Sequence, residues 1–317
     1  MKDLKIVFFG TPDFAVASLK ALVDASFNVV AAVTATDKPS GRGHRLQSPP
    51  VKVIADGNQI PCLQPKNLKD PTFVEELRSF NANLHIVVAF RMLPEIVWNM
   101  PELGTYNVHG SLLPNYRGAA PINWAIINGE KTTGVSTFKL KHEIDTGSVL
   151  HQKEVAIEDS DNVGTVHDKL MHAGAELLVK TVSQIAKGDV QLMPQDLSLK
   201  TKEAPKIYKQ DCVIQWNQSA QNVRNFIRGM SPFPTAFAKV TLPDGTEENW
   251  KIYATQLTQN PCSSAGTIKS EEEKILIGCN DHWIEINELQ SPGKRRMKAV
   301  EFLRGIRFDL ADSRIDS

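Results

Sequence analysis

Leu4-Lys5-Ile6-Val7-Phe8-Phe9-Gly10-Thr11-Pro12-Asp13-Phe14 decides the fold class. An apolar run stops at a glycine, and from Pro12 onward Phe14, Leu19, Leu22 and Val23 recur at helical spacing, so the stretch reads as strand, tight turn and helix. Working outward, Asn28 to Thr34 is a second β-branched run and Pro71 to Phe80 a helix. Leu84 to Phe90 is a third strand, whose unbroken hydrophobicity suits burial on both faces. This alternation predicts an α/β domain with a parallel, doubly wound, Rossmann-like sheet. Thr105 to His109, Val135 to Leu140 and Val149 to Ile157 read as further strands, Ala119 to Ile127 as a helix, and Val163 to about Lys187 as a long helix.

Between Gly188 and Lys209 periodicity is lost and Pro194, Pro205 and several lysines collect, which marks a linker across the surface. The expected organisation is a domain over 1–189, a linker over 190–207 and a second domain over 208–317. In the second domain a helix at Ala220 to Arg228 precedes short strand-like runs at Ala236 to Leu242, Trp250 to Leu257, Ile275 to Gly278 and Trp283 to Leu289. Turn residues such as Asp244-Gly245 and Cys279-Asn280-Asp281 separate them, which suits a small β-barrel of oligonucleotide-binding (OB) type. Trp216, Trp250 and Trp283 read better as buried barrel residues than as platforms for nucleotide stacking.

Of 317 residues, 41% are hydrophobic and 23% charged, which excludes overall disorder and allows a sizeable core. The 36 basic and 36 acidic residues cancel, so any nucleic-acid contact must rest on local clusters. Cys62, Cys212, Cys262 and Cys279 are too dispersed for a disulfide framework or a zinc knuckle, in keeping with a reducing cytoplasm. The N-terminus leads straight into an apolar strand without a signal or transit pattern, so no membrane association is expected.

Gly10-Thr11-Pro12-Asp13-Phe14 lacks the Gly-x-Gly-x-x-Gly spacing that brings a pyrophosphate onto a helix N-terminus, which disfavours a nicotinamide or flavin enzyme. As a plain strand-to-helix turn with Pro12 early in the helix, it needs no ligand. Asn107-Val108-His109 ends a strand, and its two-residue spacing puts an amide and an imidazole on one side. Asp145 follows in the polar turn Ile144-Asp145-Thr146-Gly147. In acyl transfer an Asn N–H stabilises a developing oxyanion, His moves a proton, and Asp orients or charge-balances the His. Read alone, the same residues fit a structural histidine at a strand end and an ordinary turn former.

The run Asn107-Val108-His109-Gly110-Ser111-Leu112-Leu113-Pro114-Asn115-Tyr116-Arg117-Gly118-Ala119-Ala120-Pro121, with the later Asp145-Thr146-Gly147, resembles the signature of the folate-dependent formyltransferases. Three further stretches resemble the branch that acts on methionyl-tRNA. They are Phe9-Gly10-Thr11-Pro12-Asp13-Phe14-Ala15, Lys38-Pro39-Ser40-Gly41-Arg42-Gly43 and Leu289-Gln290-Ser291-Pro292-Gly293-Lys294. The resemblance implies a Rossmann-like catalytic domain, a linker and an OB-like tRNA-binding domain. It also implies 10-formyltetrahydrofolate as donor, no metal, and initiator Met-tRNA as acceptor, in the cytoplasm of a bacterium; a monomer is expected. It makes Asn107, His109 and Asp145 the catalytic residues, and places Phe90, Arg91, Met92 and Leu93 with Ser111, Leu112, Leu113 and Pro114 on the folate side. Phe90-Arg91 departs from the Tyr-Gly commoner in the family, and Glu143 stands where glycine is common.

Lys38 to Lys52 contains four basic residues and no acid and reads as a surface loop, which by resemblance meets the tRNA through Lys38, Arg42 and Arg45. Lys206 joins them from the linker. Lys294, Arg295, Arg296, Lys298, Arg304 and Arg307 face only Glu301 between Gly293 and Arg307, an excess suited to phosphate, and the first four are the expected contacts. A solvated charged face is the plainer reading of both clusters. Three rivals remain: a formyltransferase acting on an amino sugar, for which a second domain is superfluous; a noncatalytic RNA-binding protein, for which an intact trio is superfluous; and, more distantly, a dinucleotide-dependent oxidoreductase.

Overall fold

The computed structural model of the chain describes residues 3–40, 45–196, 198, 201–262 and 264–315. Contacts divide the chain into two compact units: Met1–Gly118, Thr132–Ala156 and His167–Glu203 form one, and Ala119–Lys131, Ile157–Val166 and Ala204–Ser317 form the other.

The chain begins with β1 (Ile6–Gly10), α1 (Asp13–Asp24), β2 (Val29–Val33), a short pair β3 (Lys38–Ser40) and β4 (Arg45–Gln47), α2 (Pro50–Gly57) and β5 (Cys62–Leu63). It continues through α3 (Pro71–Ser79), β6 (Leu84–Val88), α4 (Glu95–Trp98), β7 (Thr105–His109), β8 (Arg117–Gly118), α5 (Pro121–Ile127), β9 (Thr132–Lys139), β10 (Val149–Ala156) and α6 (Val163–Lys187). A seven-stranded sheet has the order β10-β9-β7-β6-β1-β2-β5. From β5 to β7 neighbouring strands are parallel, and β9 and β10 extend the sheet by antiparallel pairing.

Every residue of β1 and β6 is buried, as their continuous hydrophobicity requires of central parallel strands. Val7, Phe9, Val33 and Val87 pack on one face with Phe73, Val74, Leu77 and Val97. Gly10 ends β1 because nothing larger fits: a Cβ would lie 2.5 Å from that of Ala15 in the following helix. Asp70 starts α3 by accepting from the Thr72 amide at 2.9 Å, with Pro71 in the first helical turn.

Two sequence expectations change here. The strand read to Phe90 stops at Val88, because Ala89 turns out of the sheet with a φ of 46°. The surface loop read over Lys38 to Lys52 contains the β3–β4 ladder and the start of α2, whose opening Pro49-Pro50 resembles loop composition while suiting a helix N-terminus.

The second unit contains α7 (Ala220–Met230), which follows β11 (Glu203–Ala204) and is capped by Ser219, accepting from the Asn222 amide at 3.3 Å. Then come β12 (Ala236–Thr241), β13 (Glu247–Pro261), β14 (Ile268–Glu271), β15 (Lys274–Gly278), β16 (His282–Gln290), β17 (Met297–Lys298), α8 (Ala299–Gly305) and β18 (Arg314–Ile315). The sheet order is β14-β15-β16-β13-β12-β18, with β17 also on β16, and all these pairs are antiparallel. The ladder between β13 and β16 is interrupted three times, which lets long strands curl into a half-barrel. Trp216 and Trp250 are fully buried in its core with Ile252, Ile277 and Ile284, as their barrel reading requires. Trp283 is half-buried, with the Lys269 ammonium 4.7 Å from its ring centroid.

Candidate functional site

β1 leads to β2 on one side of the sheet and, through later elements, β6 lies on the other, so the order in which the parallel strands are added reverses between β1 and β6. Ligands of open α/β sheets collect outside the carboxyl ends of strands at such a point. Gly10 is in register with Val88, and Asn107 on β7 with Val87, which brings the Gly10 turn, the Ala89 turn and the end of β7 to one edge.

His109 ends β7 and is 7% exposed. Its Nε2 lies 2.8 Å from the Tyr116 carbonyl oxygen, so the acceptor assigns a proton to Nε2. Nδ1 faces Asp145 Oδ2 at 3.8 Å, beyond hydrogen-bond length but within reach of an ion pair when the ring is doubly protonated. The same Asp145 oxygen accepts from the Gly118 amide at 3.0 Å. Asn107 is half-buried, and its Oδ1 is buried without a hydrogen-bond partner among the described residues. An orphaned amide oxygen costs roughly 1–3 kcal/mol, which fits a position completed by a polar ligand.

Three non-glycine residues around these groups have left-handed backbone: Ala89 at φ 46°, Tyr116 at 59° and Asp145 at 54°. Such conformations cost on the order of 1–3 kcal/mol each and persist where surrounding contacts enforce them. At the Asp145 turn the enforcement is visible. Thr146 Oγ1 donates to the Glu143 carbonyl at 3.0 Å, and a Cβ on Gly147 would lie 1.8 Å from the Lys139 carbonyl oxygen. Glu143 itself is exposed, so its side chain does not crowd the turn.

The folate-side residues face different ways. Ser111 is fully buried, and its hydroxyl donates to the Asn115 carbonyl at 2.7 Å, so it closes the loop after β7. Leu113 is buried, with its amide donating to Ser136 Oγ at 3.1 Å and its carbonyl accepting from Gln152 Nε2 at 2.9 Å, while Leu112 and Pro114 are half-buried. Arg91 turns back to donate to the Lys66 and Pro65 carbonyls at 2.9 and 2.5 Å, and its guanidinium lies 5.6 Å from the Phe90 ring centroid. Leu93 is buried, and Met92 is 71% exposed.

Lys38 is exposed on β3. Arg42 lies outside the described residues, and the backbone of Arg45 pairs with that of Ser40. At the base of this ladder Lys52 Nζ donates to Asp37 at 3.0 Å and to Gln64 Oε1 at 2.8 Å, and Gln64 Nε2 donates to Asp37 at 2.7 Å. The Gln64 and Lys52 hydrogen bonds hold the Asp37 carboxyl below its usual range, while the bond to Asp37 raises Lys52. Lys206 is exposed, 5.1 Å above the Tyr208 ring. In the cluster read from sequence, Arg295 pairs with Glu301 at 2.8 Å, Arg296 with Glu288, and Arg304 with Glu273 at 3.0 Å. Glu288 and Glu273 lie outside the 293–307 stretch and reach its arginines only through the fold. Lys294 and Lys298 are exposed and make no ion pair among the described residues.

No group of three potential metal ligands occurs among the described residues. Burial pushes the Cys62 and Cys279 thiols up to about 11 and about 12, which keeps both as thiols near neutral pH. Sequence reasoning missed the Tyr116 carbonyl on His109 and Gln195, which bonds to the Asp145 turn.

Residues 4–182 match the family model described as formyl transferase, and residues 206–307 the model for the formyl transferase C-terminal domain. A Bacteroides fragilis protein named methionyl-tRNA formyltransferase is 50% identical over 96% of this chain and 95% of its own length. One of the same name from Flavobacterium johnsoniae is 47% identical over 97% and 98%. Among solved structures, HypX from Aquifex aeolicus in complex with tetrahydrofolic acid matches with a TM-score of 0.65 at 18% identity, covering 97% of this chain and 49% of that one. The chain thus spans about half of HypX. The sugar 3N-formyl transferase WlaRD matches with a TM-score of 0.64 at 17% identity, over 93% of this chain and 100% of that one. At these identities the two structures speak for the fold.

Proposed function

The chain belongs to the formyl transferase family, and we propose that it transfers the formyl group of 10-formyltetrahydrofolate to the free amino group of methionine on initiator tRNA. The carrying observation is near 50% identity, along almost the whole of both chains, to bacterial proteins named for that reaction. The test is to incubate the protein with charged initiator tRNA and 10-formyltetrahydrofolate and measure formylmethionyl-tRNA. Its formation only with both substrates is the expected result, and formylation of an amino sugar in its place would refute the assignment.

The folate supplies an activated formyl carbon: the amine nitrogen bonds to it, the bond from that carbon to the folate nitrogen breaks, and tetrahydrofolate leaves carrying a proton in balance with the one the amine gives up. The acceptor is an amine whose pKa lies below the roughly 7.7–8.0 of an ordinary chain terminus, because the neighbouring ester withdraws electrons, so it is available as a neutral nucleophile near pH 7. Asn107 donates its amide N–H to the formyl oxygen as charge develops there, while its Oδ1, without a partner among the described residues, is open to a donor on the substrate. His109 acts through Nδ1, the nitrogen not committed to the Tyr116 carbonyl, with Asp145 balancing its charge when both nitrogens are protonated. Leu93 and Leu113 supply apolar walls on the folate side, with Phe90, Met92, Leu112 and Pro114, while Ser111 and Arg91 shape the backbone there.

Residues 1–189 carry the chemistry, 190–207 link, and 208–317 bind tRNA, a division supported by the family models at 4–182 and 206–307. Lys38, Arg42, Arg45 and Lys206 join Lys294, Arg295, Arg296 and Lys298 as the tRNA contacts. No helix among the described residues is long and apolar enough to cross a membrane. The reading places the protein in the bacterial cytoplasm as a monomer.

A further inference from the structure

We infer that Gln195 is a positioning residue for formyl transfer, holding the turn that presents Asp145 to His109. The segment after α6 then belongs to the catalytic scaffold as well as joining the two domains. The inference rests on reading Asp145 as the partner of His109.

Gln195 Nε2 donates to the carbonyl oxygens of Asp145 at 2.8 Å and Gly147 at 2.7 Å. Its Oε1 accepts from Arg117 Nε at 3.1 Å and Nη2 at 2.6 Å. Both amide hydrogens and both oxygen lone pairs are used. The network also settles the amide's orientation, since the reverse would set an oxygen against two carbonyls and an NH2 against a guanidinium. Two residues earlier Met193 exchanges backbone hydrogen bonds with Val149, 2.8 Å in each direction, which fixes the register of the segment beside β10.

These contacts close a circuit. The main chain of Asp145 is bound by Gln195, Gln195 by Arg117, and the Gly118 amide that follows Arg117 donates back to the Asp145 carboxylate at 3.0 Å. Asp145 has a φ of 54°, and Gly147 has no room for a Cβ, so the turn is held in a conformation that its own residues do not favour. Without Gln195, two carbonyls lose their donor and the turn is free to relax. The Nδ1 to Oδ2 separation, 3.8 Å here, then changes. Because the Gln195 amide nitrogen ends on main-chain oxygens of the Asp145 turn, and its oxygen on the Arg117 guanidinium rather than on a reacting group, its effect on chemistry passes through the placement of Asp145.

The test is steady-state and single-turnover formylation by full-length Gln195→Ala, Gln195→Glu, Asp145→Asn and the double variant Gln195→Ala/Asp145→Asn. Gln195→Ala should lower kcat on the order of 10- to 100-fold, since displacement of a catalytic group by about 1 Å has that effect, and leave KM for either substrate within about two-fold. Gln195→Glu, which keeps the length and the contact to Arg117 but loses both donors, should show the same split and covers the case in which alanine does not fold. In the Asp145→Asn background Gln195→Ala should have almost no further effect. Wild-type kcat in a folded Gln195 variant overturns the inference, and so does an equal loss in the Asp145→Asn background, which would mean that Gln195 acts independently of the carboxylate. Wild-type turnover in Asp145→Asn alone would instead remove the underlying reading of Asp145, a distinguishable failure.

Discussion

Replacing His85 with leucine should make the protein markedly less sensitive to acid. His85 is the second residue of β6, fully buried between the backbone partners Val7 and Thr105, with the Phe9 ring centroid 5.1 Å from its own. Burial lowers its pKa from 6.5 to about 4, with the Val97 backbone acting weakly in the opposite sense. Between these values the unfolded chain binds a proton that the folded protein refuses. The proton-linked cost of His85 is therefore absent well above pH 6.5, and stability falls as pH drops from there toward 4. A gap of about 2.5 pH units corresponds to on the order of 3 kcal/mol once the pH is below both values, and about 2 kcal/mol at pH 5. The assay is denaturant unfolding of wild type and His85→Leu at pH 7.5, 6 and 5, followed at one probe of the first unit. Other titrating groups are common to both proteins, so the difference between their pH slopes isolates His85. Parallel stability curves between pH 7.5 and 5 would refute the reasoning.

Gly147→Ala should fold with a displaced Asp145 turn and lose roughly 100-fold in kcat, because a Cβ 1.8 Å from the Lys139 carbonyl forces the backbone to move; wild-type kinetics would contradict this. Arg42→Ala should impair formylation of charged tRNA with folate affinity unchanged, and an equal loss of folate affinity would move Arg42 to the donor side. Neutralising Lys294 and Lys298, which have no ion-pair partner among the described residues, should flatten the slope of log affinity for tRNA against log salt by about 1.4–1.8. An unchanged slope would remove both lysines from the interface. Neutralising Arg295 and Arg296 should change it less, since Glu301 and Glu288 already face them.

The sequence was most legible where one kind of periodicity runs long and unbroken. Periodicity alone gives helix α6 close to its observed bounds, Val163–Lys187, and α1 and the central strands within a residue or two except at Phe90. Asn107, His109 and Asp145 stand out through the family resemblance, since a strand end and a polar turn alone fit structural residues as well. Their partners have no side-chain signature. The group on His109 is the carbonyl of Tyr116, and any residue has one. Gln195 lies in a stretch without periodicity, where a single amide is indistinguishable from linker composition. Helix α8 hides in a run that stands out for its charge, and the ends of β13 reach beyond Trp250 to Leu257 through residues without hydrophobic alternation, Glu247-Glu248-Asn249 and Thr258-Gln259-Asn260-Pro261.

The most direct test of the proposed chemistry is single-turnover formyl transfer to charged initiator tRNA at saturating 10-formyltetrahydrofolate, comparing wild type with Asn107→Ala and His109→Ala. The expected result is formylmethionyl-tRNA from wild type and a rate lower by about 10²–10³ in each variant, the effect of removing one donor worth about 2.7–4 kcal/mol from a developing oxyanion, with folate binding retained. Wild-type rates in both folded variants would contradict the account and move the chemistry away from the end of β7.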